Sequence, residues 1–297
     1  MKKLFLLLAM VGLVAVACTP GGVEEDNNGN QGNKNNKKPA NNEIWYTSSD
    51  GNIVTPCKTS FFGVNIVSNT YENGKGVITF DAPVTLIGEG AFEGCDRLAS
   101  ITIPNGVTLI GEDAFEGCSS LVSITIPDSV TSIEEESFVG CENLVGFYGK
   151  YATPDNRCLV VNGVLISFAP VGVAEYTIPN SATSIGSCAF YGCYNLASVT
   201  IPNSVTSIGD FAFSGCSSLP SVTIPDGVTS IGYKVFENCT NLTSVYCKPT
   251  TPPAGDSYMF NRNASGREIY VPRNSVDAYR SAEGWSEYAS DIVGYAF

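Results

Sequence analysis

One spacing dominates the chain. Phe92, Phe115 and Phe138 lie 23 residues apart, and so do Cys95, Cys118 and Cys141. The interval returns in Phe190, Phe213 and Phe236, and in Cys193, Cys216 and Cys239. A full unit reads Leu98-Ala-Ser-Ile101-Thr-Ile103-Pro104, then Val107-Thr-Leu-Ile110-Gly111, then Ala114-Phe115-Glu-Gly117-Cys118. A unit this short cannot enclose its own apolar face, so a fixed period of this kind means coils that bury the face by stacking. Ile101 and Ile103 alternate with Ser100 and Thr102, which predicts a short strand with inward isoleucines, closed by Pro104. Gly111 permits the turn towards Ala114 and Phe115, which fill the far side of the coil. Stacking puts successive strands about 4.8 Å apart in a parallel ribbon. The expected fold is a right-handed repeat solenoid of 23-residue coils with a parallel β ribbon on one face.

These units resemble the BspA-like (treponemal-type) leucine-rich repeats, whose consensus is close to L-x-x-I-x-I-P-x-x-V-x-x-I-x-x-x-A-F-x-x-C. The resemblance runs from about Ile78 to Cys247, and more loosely through Ile269-Tyr270-Val271-Pro272. Two departures stand out. Phe138 and Phe190 are 52 apart, so 29 extra residues interrupt the array. Leu219 is followed by Pro220 where other units carry Ala, Val or Thr, a change a strand entrance tolerates. Within the insertion, Leu159-Val160-Val161 and Val164-Leu165-Ile166 flank Asn162-Gly163, a strong hairpin signal. The hairpin either extends the core or projects as a lip. Residues 43–77, with Trp45, Tyr46, Phe61, Phe62 and Tyr71, lack the period and are expected to form an N-terminal cap. Repeats then occupy 78–144, the insertion 145–175 and further repeats 176–247. Residues 248–297 form a C-terminal cap, where Val276, Tyr279, Trp285, Tyr288 and Ile292 predict a short helix.

The amino terminus reads as a targeting segment. Lys2 and Lys3 precede an apolar run from Leu4 to Ala17, too short for an ordinary membrane span, and Cys18 follows. This resembles a bacterial lipobox, which implies a signal peptide at 1–17 and a diacylglycerol anchor on Cys18. Residues 18–42 are polar and low in complexity, the composition of a disordered tether. Glu24-Glu25-Asp26 resembles the export signal of surface-displayed lipoproteins of the Bacteroides group, which implies an outer-membrane, cell-surface location. The alternative is a solvated linker on a periplasm-facing lipoprotein.

Composition narrows the chemistry. Histidine is absent, which removes Ser/His/Asp and Cys/His nucleophile systems, His-ligated zinc and histidine pH switches. A net charge of −13 argues against nucleic-acid partners. One cysteine per coil reads as a small buried side chain that satisfies turn backbone groups; the rival reading is a disulfide framework. A metal site is not indicated, because no Cys-x-x-Cys pair occurs. Glu89, Glu93, Glu112, Asp113, Glu116, Glu134, Glu135 and Glu136 fall on a repeated outer turn, a solvated ridge rather than the paired unlike environments that acid/base work needs. Asp128-Ser129-Val130 fits a short O-glycosylation signature or simply opens a turn. Outward strand positions form a column of Thr79, Thr102, Thr125, Tyr148, Thr177, Thr200, Thr223, Tyr246 and Tyr270. The tyrosines Tyr148, Tyr246 and Tyr270 are the candidate ligand-binding residues; the bland alternative packs them under the insertion and the C-terminal cap. The expectation is a monomeric, non-enzymatic surface lipoprotein without cofactor or metal. The resemblance implies protein binding or adhesion to host matrix or other cells, and the alternative is an accessory glycan-binding lipoprotein.

Overall fold

Backbone groups of each coil are satisfied chiefly by the coil beside it. The computed structural model describes residues 38–297, which form one unit; the expected signal peptide, Cys18 and the expected tether as far as residue 37 lie outside the described residues. On the ribbon side, strands Leu98–Thr102, Ser123–Ile126 and Gly146–Gly149 pair in parallel, with Thr102, Thr125 and Tyr148 in register. A second narrow sheet runs alongside, of parallel two-residue strands at Leu86–Ile87, Leu109–Ile110 and Ser132–Ile133. The pattern resumes with Ser184–Ile185, Ser207–Ile208 and Ser230–Ile231.

The third side of each coil carries the phenylalanine. The N–H of Phe92 donates to the Ala114 carbonyl at 2.8 Å, Phe115 to Ser137 at 2.8 Å, Phe190 to Ala212 at 2.8 Å and Phe213 to Val235 at 2.9 Å. The rings follow the backbone. Phe92, Phe115 and Phe138 stack at 5.4 and 5.3 Å with planes within 7°, and Phe190, Phe213 and Phe236 at 4.9 and 5.4 Å within 13°. Each is almost wholly buried. The cysteine completes the turn: Cys118 Sγ donates to the Phe92 carbonyl at 3.2 Å, Cys141 to Phe115 at 3.3 Å, Cys216 to Phe190 at 3.3 Å and Cys239 to Phe213 at 3.1 Å. A thiol thus serves a carbonyl left open by the turn. Cys95, in the first coil, reaches the Thr55 carbonyl.

Several boundaries differ from the sequence reading. Asn41 and Asn42 are already part of the fold, since their carbonyls accept from Val84 and Phe80. The N-terminal cap is an antiparallel set: β1 (Glu43–Ser48), β2 (Ile66–Glu72) and β3 (Lys75–Phe80). Here β1 inserts between β3 and the first repeat strand, so Trp45 stands opposite Thr102, and Thr79 does not belong to the outward column. A coil also exists beyond Cys247. Phe260 stacks on Phe236 at 5.6 Å, Phe236 N–H donates to the Met259 carbonyl, and Asn263 Nδ2 occupies the cysteine's role by donating to the Phe236 carbonyl. This coil is 24 residues from its predecessor and lacks the cysteine, so the fixed interval misses it. Its strand Glu268–Pro272 continues the ribbon in parallel, and Ile292–Tyr295 adds the last strand. The helix α1 covers only Val276–Ser281; Gly284, at φ 75°, breaks the periodic stretch, and Ile292 lies in a strand. Gly111 is needed for close approach rather than for its dihedral freedom: a Cβ there would meet the Glu89 nitrogen at 2.7 Å.

The insertion extends the core. Cys158–Val161 and Val164–Phe168 form the expected hairpin, and Val164-Leu165 pairs in parallel with Ser184-Ile185, so it stands in for a coil. Its two faces serve different cores: Leu159, Val161 and Ile166 pack with the first repeat block, Cys158, Leu165 and Phe168 with the second. It also closes the first block. Lys150 Nζ donates to the Asp128 and Val130 carbonyls, and Tyr151 OH lies within hydrogen-bond distance of the Val130 and Thr131 carbonyls, which have no next coil to serve.

Two outcomes follow from this packing. Phe213→Ala, which empties the middle of a three-ring stack, is expected to lower the unfolding free energy in urea by about 3–5 kcal/mol. Among the ten described cysteines only Cys57 is exposed, while burial pushes the Cys95 thiol up to about 11 and those of Cys141 and Cys247 up to about 12. The protonated thiol is the poor nucleophile. Titration with a thiol reagent at pH 8 should therefore label Cys57 promptly and the repeat cysteines only after denaturant is added.

Candidate functional site

On the ribbon the outward row is short-chained and hydroxyl-rich over most of its length. Thr102, Thr125, Thr177, Thr200 and Thr223 are exposed. Pro220 lacks the N–H that Val122, Val145 and Ala197 donate to the preceding coil, and the strands Ser198–Thr200 and Ser221–Ile224 are accordingly not joined in one sheet. Aromatic side chains interrupt the row at its ends. Trp45 borders the first block on one side, in contact with the Lys75 ammonium, and Tyr148 borders it on the other. Tyr148 is 43% exposed and is not covered by the insertion, which covers only the strand's backbone edge: Phe147 N–H donates to Asn156 and Arg157 to the Val145 carbonyl.

The other two tyrosines are brought together. Tyr246 and Tyr270 are register partners, stacked at 4.8 Å and 12°. Tyr295 meets both edge-on, at 5.7 and 5.4 Å, and Phe297 packs on Tyr295 at 5.0 Å. Tyr270 OH donates to the Glu268 carboxylate, which holds the phenol above its ordinary pKa and fixes the ring. The result is a continuous aromatic patch, half-buried at Tyr246 and Tyr270 and exposed at Tyr295 and Phe297. Tyr295 and Phe297 have no repeat partner, so periodicity gave no signal for them.

The carboxylate ridge is built differently from a catalytic pair. Glu134 accepts from the Glu112 N–H at 3.0 Å and Glu135 from Ser187 at 2.8 Å, so two of these carboxylates cap turn amides, as Asp210 of the second block does for Tyr233 at 2.7 Å. Burial, and then the neighbouring carboxylates, raise Asp113, Glu116 and Glu136. Among the described residues no group of three Cys, Asp or Glu side chains is arranged to hold a metal ion. Ser129 Oγ donates to the Val107 carbonyl at 2.7 Å, as Ser204 does to Ala182, so this hydroxyl serves the turn.

A third feature lies at the seam between the two blocks, where Phe168 and Pro170 occupy the place of the next coil's turn. Phe138 ends the first stack and meets Phe147 edge-on at 5.3 Å on its other side, and Phe190 packs on Phe168 at 4.8 Å. Beside this break a crevice of about 350 Å³ opens between Glu142, Asn143, Pro170, Gly172, Tyr194 and Asn195. Nothing in the repeat pattern announced it.

The comparisons agree with this architecture. The chain matches the family described as BspA type leucine rich repeat region, in six copies over residues 64–150 and 167–282. A leucine rich cell surface protein of Faecalibacterium prausnitzii is similar at 24% identity, with TM-score 0.50, over 72% of this chain and 62% of its own. A leucine-rich repeat protein of Bacteroides ovatus is 29% identical, with TM-score 0.37, over 70% of this chain and 63% of its own. The leucine rich repeat protein of T. pallidum is also 29% identical, with TM-score 0.37, over 63% of this chain and 75% of its own. The chain thus spans under two thirds of the length of the first two of these structures. No curated protein matches it. Repeat, stack and match together place the chain in the BspA-type leucine-rich-repeat family.

Proposed function

We propose that the chain is a lipid-anchored surface scaffold that binds a protein partner through the aromatic end of its ribbon, in an adhesin-like role rather than as an enzyme. The Tyr246, Tyr270, Tyr295 and Phe297 patch carries this reading. A threonine row offers hydrogen bonds but little apolar area, whereas clustered aromatic side chains supply the anchoring that dominates protein interfaces. The patch is held in one geometry by strand pairing and by the Glu268 bond, so little side-chain freedom is lost on binding. Membrane attachment through Cys18, and display on the outer surface, rest on the lipobox and acidic-triplet resemblances; a similar structure of Faecalibacterium prausnitzii is described as a cell surface protein, in keeping with display. We take the chain as a monomer in this role.

Two measurements test the reading. Surface plasmon resonance against immobilised host matrix proteins should find a partner whose affinity falls about tenfold or more in Tyr246→Ala/Tyr270→Ala and stays within about twofold in Thr200→Ala; equal loss in both variants, or none, refutes the assignment. Cys18→Ser should move the protein from the membrane pellet to the soluble fraction, and continued sedimentation with membranes contradicts the anchor.

A further inference from the structure

We propose that the seam crevice is a binding site for a neutral oligosaccharide, independent of the protein-binding patch at the ribbon end. The two surfaces use different residues, so either stands if the other fails.

The first support is the break in the bond ladder. At every other junction in the repeats, the N–H of the phenylalanine and the N–H two residues later donate to carbonyls of the next coil, as Phe115 does to Ser137 and Gly117 to Val139. At the seam the counterparts are Phe138 and Gly140, and among the described residues neither finds an acceptor. Both line a gap of about 40 Å³ that faces Tyr191, Gly192 and Tyr194, room for one water or one hydroxyl group. Backbone donors left without a protein partner must be served by something else.

The second support is the aromatic wall. Tyr191 and Tyr194 are 47% and 53% exposed, and neither occupies a position at which other repeats carry an aromatic. Tyr194 lies along the glycine turns: a methyl group on Gly192 or Gly215 would stand 3.5 or 3.7 Å from its ring. Its face is therefore positioned by backbone rather than by flexible neighbours. Pyranose rings present C–H faces that pack on such a ring and a rim of hydroxyls that seeks mixed donors and acceptors.

The polar rim selects among ligand classes. Glu142, Asn143 and Asn195 stand at the mouth, and no lysine or arginine lines either the crevice or the gap. An anion would meet Glu142 without a counter-charge. A cation would suit Glu142 and the tyrosines but carries no acceptor of its own, so the Phe138 and Gly140 N–H groups would be left to a water in the gap. A neutral saccharide in the crevice satisfies the carboxylate, the amides and the Tyr194 ring, and the gap beside it has room for one hydroxyl group at the backbone donors. At about 350 Å³ the crevice suits one or two sugar rings of a longer chain.

Isothermal titration of the purified full chain against cellohexaose, xylohexaose, mannohexaose and chitohexaose, at up to about 10 mM, tests the site, with a heparin hexasaccharide and spermidine as anionic and cationic probes. The expected result is saturable binding of at least one neutral hexasaccharide, weakened about tenfold or more by Tyr194→Ala, held within about threefold by Tyr194→Phe and unchanged by Tyr246→Ala. Should Tyr194→Ala fail to fold, Tyr191→Ala and Glu142→Ala give the same reading. The proposal is overturned if no neutral hexasaccharide binds, if binding ignores the seam substitutions, or if heparin or spermidine is the ligand that those substitutions abolish.

Discussion

A coil of this protein cannot satisfy its own backbone, and the neighbouring coil's carbonyls do it instead. The bond from one coil's phenylalanine N–H to the next coil fixes the translation between turns, and the ring stack and cysteine thiol take their places from that translation. The same dependence makes every interruption consequential. At the end of the first block, Lys150 and Tyr151 reach back to carbonyls that the next coil would have used, and the hairpin presents a buried face to each core. Where the hairpin does not supply carbonyls, beside Phe138 and Gly140, the ladder stays open and a narrow gap forms that shares Tyr194 and Pro170 with the crevice.

Much of this was legible in the residues. The interval between phenylalanines predicted a stack, and the rings are in fact parallel at about 5 Å. Asn162-Gly163 predicted the hairpin, and the near-continuous apolar run around it, rather than an alternating one, is the mark of a strand pair buried on both sides. Other features were hidden for physical reasons. The turn before the repeat phenylalanines takes a left-handed residue, Gly90 in the first coil but Asp113, Glu136, Cys188, Phe211 and Lys234 in the others, at a cost of roughly 1–2 kcal/mol for each non-glycine that the stacked neighbours impose. No composition rule signals a glycine conformation held by such residues. The final coil escaped because Asn263 replaces cysteine at an interval one residue longer. Thr79 was misplaced because an antiparallel strand, invisible to a repeat search, inserts beside the first coil.

Function in such a molecule concentrates where side chains leave the repeat pattern. The repeated positions are occupied by packing, by turn capping or by exposed hydroxyls, and even the ridge carboxylates Glu134 and Glu135 serve neighbouring amides. The departures include Tyr148, the Tyr233 and Tyr258 pair, the aromatic patch at the end of the ribbon, and Tyr191 and Tyr194 at the seam, and the last two sets carry the candidate sites. The ribbon end and the seam are also where the backbone runs out of equivalent neighbours, so structural irregularity and the candidate chemistry coincide there. Of the site, the sequence offered Tyr246 and Tyr270 through their place in the column. Tyr295, Phe297 and the seam depend on contacts between segments with no common spacing.

Native-state amide hydrogen exchange, resolved residue by residue by NMR, tests most directly the claim that each turn is held by the next. The N–H groups of Phe92, Phe115, Phe190, Phe213 and Phe236 should exchange at least about a hundredfold more slowly than those of Phe138 and Gly140, whose ladder is open. Equal protection at Phe138 and at its counterparts would contradict the account, because it would mean that something other than the neighbouring coil's carbonyls holds the turn in place.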